Sequence, residues 1–213
     1  MSIADKLTTV AENVPKVYEA GKGETLKAIA TDSMETVDIP EGITRIASYA
    51  FCQRSGIKTV IIPEGVTEIG TQAFKNCTKL TKIVFPSTLE TIGNSAINCC
   101  YVLGQYNDLV LPPNLKTIDE LAFGYSSMLG RDLIIPASVE TIGTRAFIRV
   151  FGQGKPSKVY FRGTPTSIAS DAFTDTYNTC TDIYCPWAEG AVAGAPWGAT
   201  VATIHYNYVE GAE

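Results

Sequence analysis

Apolar and polar positions along this chain follow one short phrase that repeats: two apolar residues, a proline, an apolar-x-x-Ile step, then a small residue and an aromatic. It reads IIPEGVTEIGTQAFKNC from Ile61 to Cys77, with close copies on either side. Self-similarity at a fixed short period predicts a solenoid, in which each unit buries the apolar face its neighbour cannot cover alone. Pro40, Pro63, Pro86, Pro112 and Pro136 mark five units, Arg162 takes the slot in a sixth, and Pro186 opens an incomplete seventh. The aromatic position runs in parallel through Phe51, Phe74, Ile97, Phe123, Phe147 and Phe173. Between these markers lie an isoleucine column (Ile46, Ile69, Ile92, Ile118, Ile142, Ile168) and an alanine column (Ala50, Ala73, Ala96, Ala122, Ala146, Ala172).

Within a unit, Ile83 and Phe85 face inward and Val84 outward, the period of a short strand. Proline follows and, lacking an N–H, limits that strand. A turn such as Glu64-Gly65 leads to a second extended piece with Val66 and Ile69 inward. Gly70, Gly93 and Gly143 mark a tight bend or a close approach of backbone. The Ala-Phe step closes the core, the alanine letting one coil sit on the next. A single unit buries too few side chains to offset the entropy of ordering about two dozen residues. Stability must therefore come from stacking, and deletion of an inner unit should cause cooperative loss of structure.

The repeat does not cover the ends. In residues 1–34, Ile3, Leu7, Val10, Ala11 and Val14 recur at helical spacing, which predicts an amphipathic helix interrupted near Pro15, with Gly21-Lys22-Gly23 as a joint. This segment either caps the first coil or attaches the protein to a larger assembly. Residues 186–213 hold Trp187 and Trp197 as cap residues and an alternating final strand near Thr200–Tyr208, on which His205, the single histidine, reads as structural.

The unit from Val60 to Leu80, Φ-x-Φ-P-x-x-Φ-x-x-I-G-x-x-A-F-x-x-C-x-x-L, resembles the BspA-type leucine-rich repeat of bacterial surface proteins and some protist proteins, over residues 35–185. That resemblance implies an α/β repeat solenoid: a right-handed, leucine-rich-repeat-like coil of short strands with small helical or 3-10 turns, here preceded by the N-terminal helix. It also implies adhesion or protein binding without a shared catalytic set. Ile97 in the aromatic column and the missing proline of the sixth unit depart from the pattern. The flanks IADKLTTVAENVPKVYEAG and APWGATVATIHYNY are similar to segments of proteins encoded by phages and prophages of gut Firmicutes. If that likeness holds, the N-terminal helix mounts the protein on a virion component.

Composition removes several alternatives. A net charge of −5 argues against a phosphate-binding groove, so nucleic acid is not an expected partner. No stretch is long and apolar enough for a membrane span, and acidic residues interrupt the opening MSIADKLTTVAENV where a secretory signal needs an apolar run. Six cysteines lack zinc spacing, and Cys77 and Cys100 hold equivalent slots that suit buried reduced thiols, although a bridge between adjacent coils is geometrically possible. No metal or cofactor is expected. G-x-S-x-G, H-E-x-x-H and Walker motifs are missing, so an enzyme is not expected and no catalytic residue is assigned.

Function on a solenoid sits on its surface. The outward column of the first strand reads Asp38, Ile61, Val84, Val110, Ile134, Tyr160 and Tyr184, an apolar stripe that is either a contact surface or a product of strand propensity. The second-strand column Thr44, Thr67, Glu90, Lys116, Glu140 and Thr166 reads as solvated. Longer third and fifth units add CYVLGQYND and IRVFGQGKPS, and Tyr101, Tyr106, Tyr125, Met128, Phe151 and Tyr177 form a second candidate contact edge or plain loop drift. The expected function is recognition of a protein or cell-surface glycan by a phage-associated or adhesin-like module. The competing class is a structural spacer.

Overall fold

The structure, a computed structural model, describes residues 25–26, 34–104, 109–126, 132–151, 157–174 and 179–210. Their strands, in chain order, are β1 (Thr25–Leu26), β2 (Thr36–Asp38), β3 (Arg45–Ile46), β4 (Thr59–Ile61), β5 (Glu68–Ile69), β6 (Lys82–Val84) and β7 (Thr91–Ile92). They continue with β8 (Thr117–Ile118), β9 (Leu133–Ile135), β10 (Thr141–Ile142), β11 (Ser157–Phe161), β12 (Ser167–Ile168), β13 (Cys180–Tyr184) and β14 (Thr203–His205). All pairings are parallel and join equivalent residues of successive coils, such as Ile46 with Ile69 and Ile69 with Ile92.

One sheet runs β1-β3-β5-β7-β8-β10-β12. The first strands of the units form two further sheets, β2-β4-β6 and β9-β11-β13-β14. Between them, Leu109–Leu111 keeps the alternation, with Val110 exposed and Leu111 buried, but carries no ladder. The pairing of β1 with β3 brings Thr25–Leu26 into the array, upstream of the expected start at residue 35. The predicted N-terminal helix lies outside the described residues.

The fold is a parallel β-solenoid, which corrects the expected α/β class: among the described residues there is no α-helix and no 3-10 helix. Hydrogen bonding in the Ala-Phe segment gives the reason. Ala73, Lys75 and Cys77 N–H close local turns onto the carbonyls of Gly70, Gln72 and Phe74, each at 3.2 Å. The intervening Gln72, Phe74 and Asn76 N–H donate to Asn94, Ala96 and Asn98 of the next coil at 2.9, 2.7 and 2.9 Å. Gln72 and Asn76 reach this arrangement with φ of 55° and 61°. A helix needs every residue right-handed and every N–H turned back on its own segment. Here half of the donors serve the stack instead.

The interior follows the columns. Phe51 stacks on Phe74 at 5.0 Å, Phe123 on Phe147 at 5.4 Å, and Phe147 on Phe173 at 5.2 Å, all within 3° of parallel. Ile97 breaks the ring stack without breaking the coil, since it is fully buried and its N–H still reaches Ala122 at 2.8 Å. Gly70 marks a close approach: a Cβ there would lie 2.7 Å from Ser48 N and 2.9 Å from Ile46 O.

Cys77 and Cys100 are free thiols, not a disulfide. Each Sγ donates to the carbonyl of the aromatic-column residue one coil back, Cys77 to Phe51 at 3.2 Å and Cys100 to Phe74 at 3.3 Å. Ser126 repeats the contact with its hydroxyl on Ile97. At the far end Trp197 is fully buried and takes the aromatic slot, its carbonyl receiving Phe173 N–H at 2.8 Å, and Trp187 packs edge-on against it at 6.2 Å.

Candidate functional site

Where the first strands pair in register, their outward side chains form a row in each of the two sheets. Register places Asp38 beside Ile61 and Ile61 beside Val84, then Ile134 beside Tyr160, Tyr160 beside Tyr184, and Tyr184 beside His205. Exposure of 44% for Ile61, 38% for Val84, 73% for Val110 and 48% for Ile134 makes this an open apolar surface rather than covered core. Its neighbour on the same face is polar, with Thr36, Thr59 and Lys82 in register and Lys158 beside Asp182. The stripe is therefore one residue wide.

At the C-terminal coils the stripe turns aromatic. Tyr160 and Tyr184 stack at 4.6 Å and 6° from parallel, and His205 stacks on Tyr184 at 4.4 Å and 8°. The rings stand on edge, covering one another's faces and presenting their rims. His205 was read from sequence as structural, and its Nε2 does meet Asp182 Oδ1 at 2.7 Å. Register adds what that reading missed, since His205 continues the stripe. The hydrogen bond from His205 lowers the Asp182 carboxyl below its ordinary value, against partial burial that raises it. The Lys158 ammonium is held above its usual value by its hydrogen bond with Tyr184, and burial raises the Tyr160 phenol.

The second candidate edge divides. Tyr101 is 53% exposed, and its phenol is raised first by a hydrogen bond with Cys99. Tyr125 is half-buried beneath the Arg149 guanidinium at 5.5 Å. Phe151 is fully buried in the core and presents nothing to a ligand. Tyr106, Met128 and Tyr177 lie outside the described residues.

Nucleophilic chemistry finds no foothold in the buried thiols. Burial pushes Cys77 and Cys185 up to about 12 and Cys100 well above its ordinary value, so all three stay protonated. Among the described residues, no three His, Cys, Asp or Glu side chains converge as a metal site, and no helix is long and apolar enough to cross a membrane.

Stacked parallel coils with an exterior stripe one residue wide define a repeat scaffold. The chain belongs to the family described as BspA type leucine rich repeat region, whose model matches six copies over residues 27–153. Among solved structures it is similar to a leucine rich repeat protein of T. pallidum, TpLRR, at 22% identity and a TM-score of 0.64 over 93% of this chain and 83% of that one. The pneumococcal vaccine antigen PcpA matches at 22% identity and a TM-score of 0.66, over 87% of this chain and 45% of that one. A leucine rich cell surface protein of Faecalibacterium prausnitzii matches at 23% and 0.68, over 92% of this chain and 56% of that one. The chain thus spans about half the length of the last two. No curated protein shows significant similarity to it. None of these likenesses supports a phage origin for the flanks.

Proposed function

We propose that this solenoid is a non-enzymatic recognition module whose outward stripe binds a protein partner at a cell surface. The observation that carries the reading is the exposure of aliphatic side chains at the outward position of successive units, Ile61, Val84, Val110 and Ile134, with the polar column Thr36, Thr59 and Lys82 in register beside the first two. Strand propensity alone would be met by threonine, as Thr36 and Thr59 show one column away. Aliphatic side chains at every exposed step, from Ile61 to Ile134, point to desolvation by a partner.

Ring geometry favours protein over glycan. A sugar ring stacks on an open aromatic face, and both faces of Tyr184, the middle ring of the stack, are covered, by Tyr160 at 4.6 Å and by His205 at 4.4 Å. Edges and hydroxyls suit the mixed apolar and polar surface of a polypeptide. The surface setting is taken from the likeness to a described leucine rich cell surface protein.

Surface display of the wild type and of Val110→Lys with Ile134→Lys tests this. The wild type should capture a defined protein that the double variant binds at least about tenfold more weakly, with the thermal midpoint within a degree or two, because the replaced side chains are exposed. Equal capture by both proteins, or binding to a glycan array in its place, refutes the reading. Equal capture would favour the spacer.

A further inference from the structure

We propose that the aromatic end of the stripe is a receptor for a segment carrying an aromatic residue and, two positions on, a carboxylate, and that the chain's own residues Tyr208-Val209-Glu210 occupy it in cis. This deepens the preceding reading and rests on it.

Three irregularities of the repeat meet at this place. The outward column changes from aliphatic to aromatic at Tyr160 and Tyr184. The proline slot of the sixth unit holds Arg162, whose N–H donates to Ile135 O at 2.9 Å, a bond proline cannot make. Beyond β14 the chain turns back over the sheet, with Asn207 N–H on Trp187 O at 3.0 Å and Tyr208 N–H on Cys185 O at 2.9 Å.

The returning segment makes side-chain contacts that the repeat itself does not need. Tyr208 lies across the rims of the stack, 4.7 Å from Tyr184 at 59° and 6.0 Å from Tyr160 at 54°. Arg162 grips Glu210 with both nitrogens, Nη2 to Oε1 and Nη1 to Oε2 at 2.6 Å each. Its guanidinium also sits 5.8 Å from the Tyr160 ring centre, and its side chain is 28% exposed. A planar fork matched to a carboxylate and backed by an aromatic ring is a geometry built for recognition, which a solvated lysine would not supply. The same stripe is open at Ile61, Val84, Val110 and Ile134. The tail therefore covers one end and leaves the other accessible. A partner segment of the same chemistry must displace residues 208–210 to reach Arg162, so the tail acts as a strap on the binding face.

The test uses the full chain and a peptide with the sequence of residues 203–212, followed by amide chemical shifts. With Tyr208→Ala and Glu210→Ala in the protein, the peptide should shift residues 158–162 and 182–184 saturably. The wild type should bind it about tenfold more weakly or worse, because the tethered tail has the higher effective concentration. Adding Arg162→Gln to the double variant, or Gln for Glu in the peptide, should remove the shifts. Should the double variant lose its fold, Glu210→Gln alone changes one exposed side chain and should still strengthen peptide binding. Equal affinity of wild type and variant, or no shifts at those residues in folded variant, overturns the proposal. Concentration-dependent dimers of the wild type that vanish in Glu210→Gln would also overturn it, by assigning the site to a second copy's tail. Loss of partner capture with peptide binding intact removes only the wider function; capture without peptide binding removes only the strap.

Discussion

The coils around Val60 and those around Val159 have the same inside and different outsides. Val60, Ile69, Ala73 and Phe74 in one, and Val159, Ile168, Ala172 and Phe173 in the other, are all buried in equivalent slots. Outside, Ile61 and Val84 lie side by side and exposed, whereas Tyr160 and Tyr184 stack and carry Tyr208, with Arg162 and Glu210 beside them. Repetition is thus enforced where like must sit on like, and relaxed where side chains face outward.

Large-to-small changes in the aromatic column break or support the claim of a common interior most sharply. Phe147 packs between Phe123 and Phe173, and Phe147→Ala should cost about 3–5 kcal/mol in denaturant unfolding. Phe74→Ala, in the other half, should cost about as much within the same single transition. A second transition, or a much smaller loss for Phe74, would show that the halves unfold independently and that the stack is not one cooperative unit.

Backbone contact between coils gives the next largest effect. A Cβ on Gly143 would stand 2.6 Å from Glu120 N and 2.8 Å from Asp119 C, so Gly143→Ala must push two coils apart. We expect a loss of about 1–3 kcal/mol, read from the same unfolding curves, with a similar loss for Gly70→Ala. Neutral results at both would mean that the coils yield freely along the stacking axis.

The exteriors should separate the halves where the interiors do not. Tyr184→Ala removes a ring stacked on Tyr160 and His205 and should cost about 1 kcal/mol, while Val84→Ala should stay within about 0.5 kcal/mol. Acid should act on both ends. Hydrogen bonds from the Ser87 backbone and hydroxyl lower Glu64, and the bond from His205 lowers Asp182. A depressed folded value gives stability that is present above the ordinary values of 4.5 and 3.8 and is lost as pH falls through the folded ones. The thermal midpoint should therefore drop below about pH 4.5, and Glu64→Gln together with Asp182→Asn should flatten that drop. An unchanged slope would remove these carboxylates as its source.

Most of the interior was legible because periodicity reports burial directly: the isoleucine, alanine and aromatic columns are the buried columns of the coil. The turn conformation was not. Local bonds from Ala73 to Gly70 and from Lys75 to Gln72 share the apolar spacing of a helical turn, and left-handed residues such as Gln72, Leu121 and Arg145 lack the glycine that usually announces them. Period-two alternation exposed the stripe as far as Tyr184, but His205 joined it only through inter-coil register. Arg162 looked like a lost proline because its partner, Glu210, is 48 residues away. Phe151 looked like loop surface because an insertion carries no sign of which side faces the core.

Those left-handed residues provide the finest test of whether the two halves share one backbone. Gln72 in the first half has φ 55° and Leu121 further along has the same φ of 55°, each donating its N–H to the next coil at 2.9 Å. An L side chain in this region costs on the order of 1–2 kcal/mol, whereas glycine adopts it freely and loses about 0.5–1 kcal/mol of chain entropy on folding. The difference leaves Gln72→Gly stabilising by roughly 0.5 kcal/mol, seen as a small rise in midpoint, while Thr71→Gly next to it, outside the left-handed set, should lower it. Leu121→Gly starts from the same backbone gain but also gives up the contacts of a half-buried side chain, so its rise should be smaller or absent. A loss at Gln72 as large as at Thr71 would mean that the two positions do not differ in backbone conformation, and with it the reason this segment stacks instead of coiling into a helix would be gone.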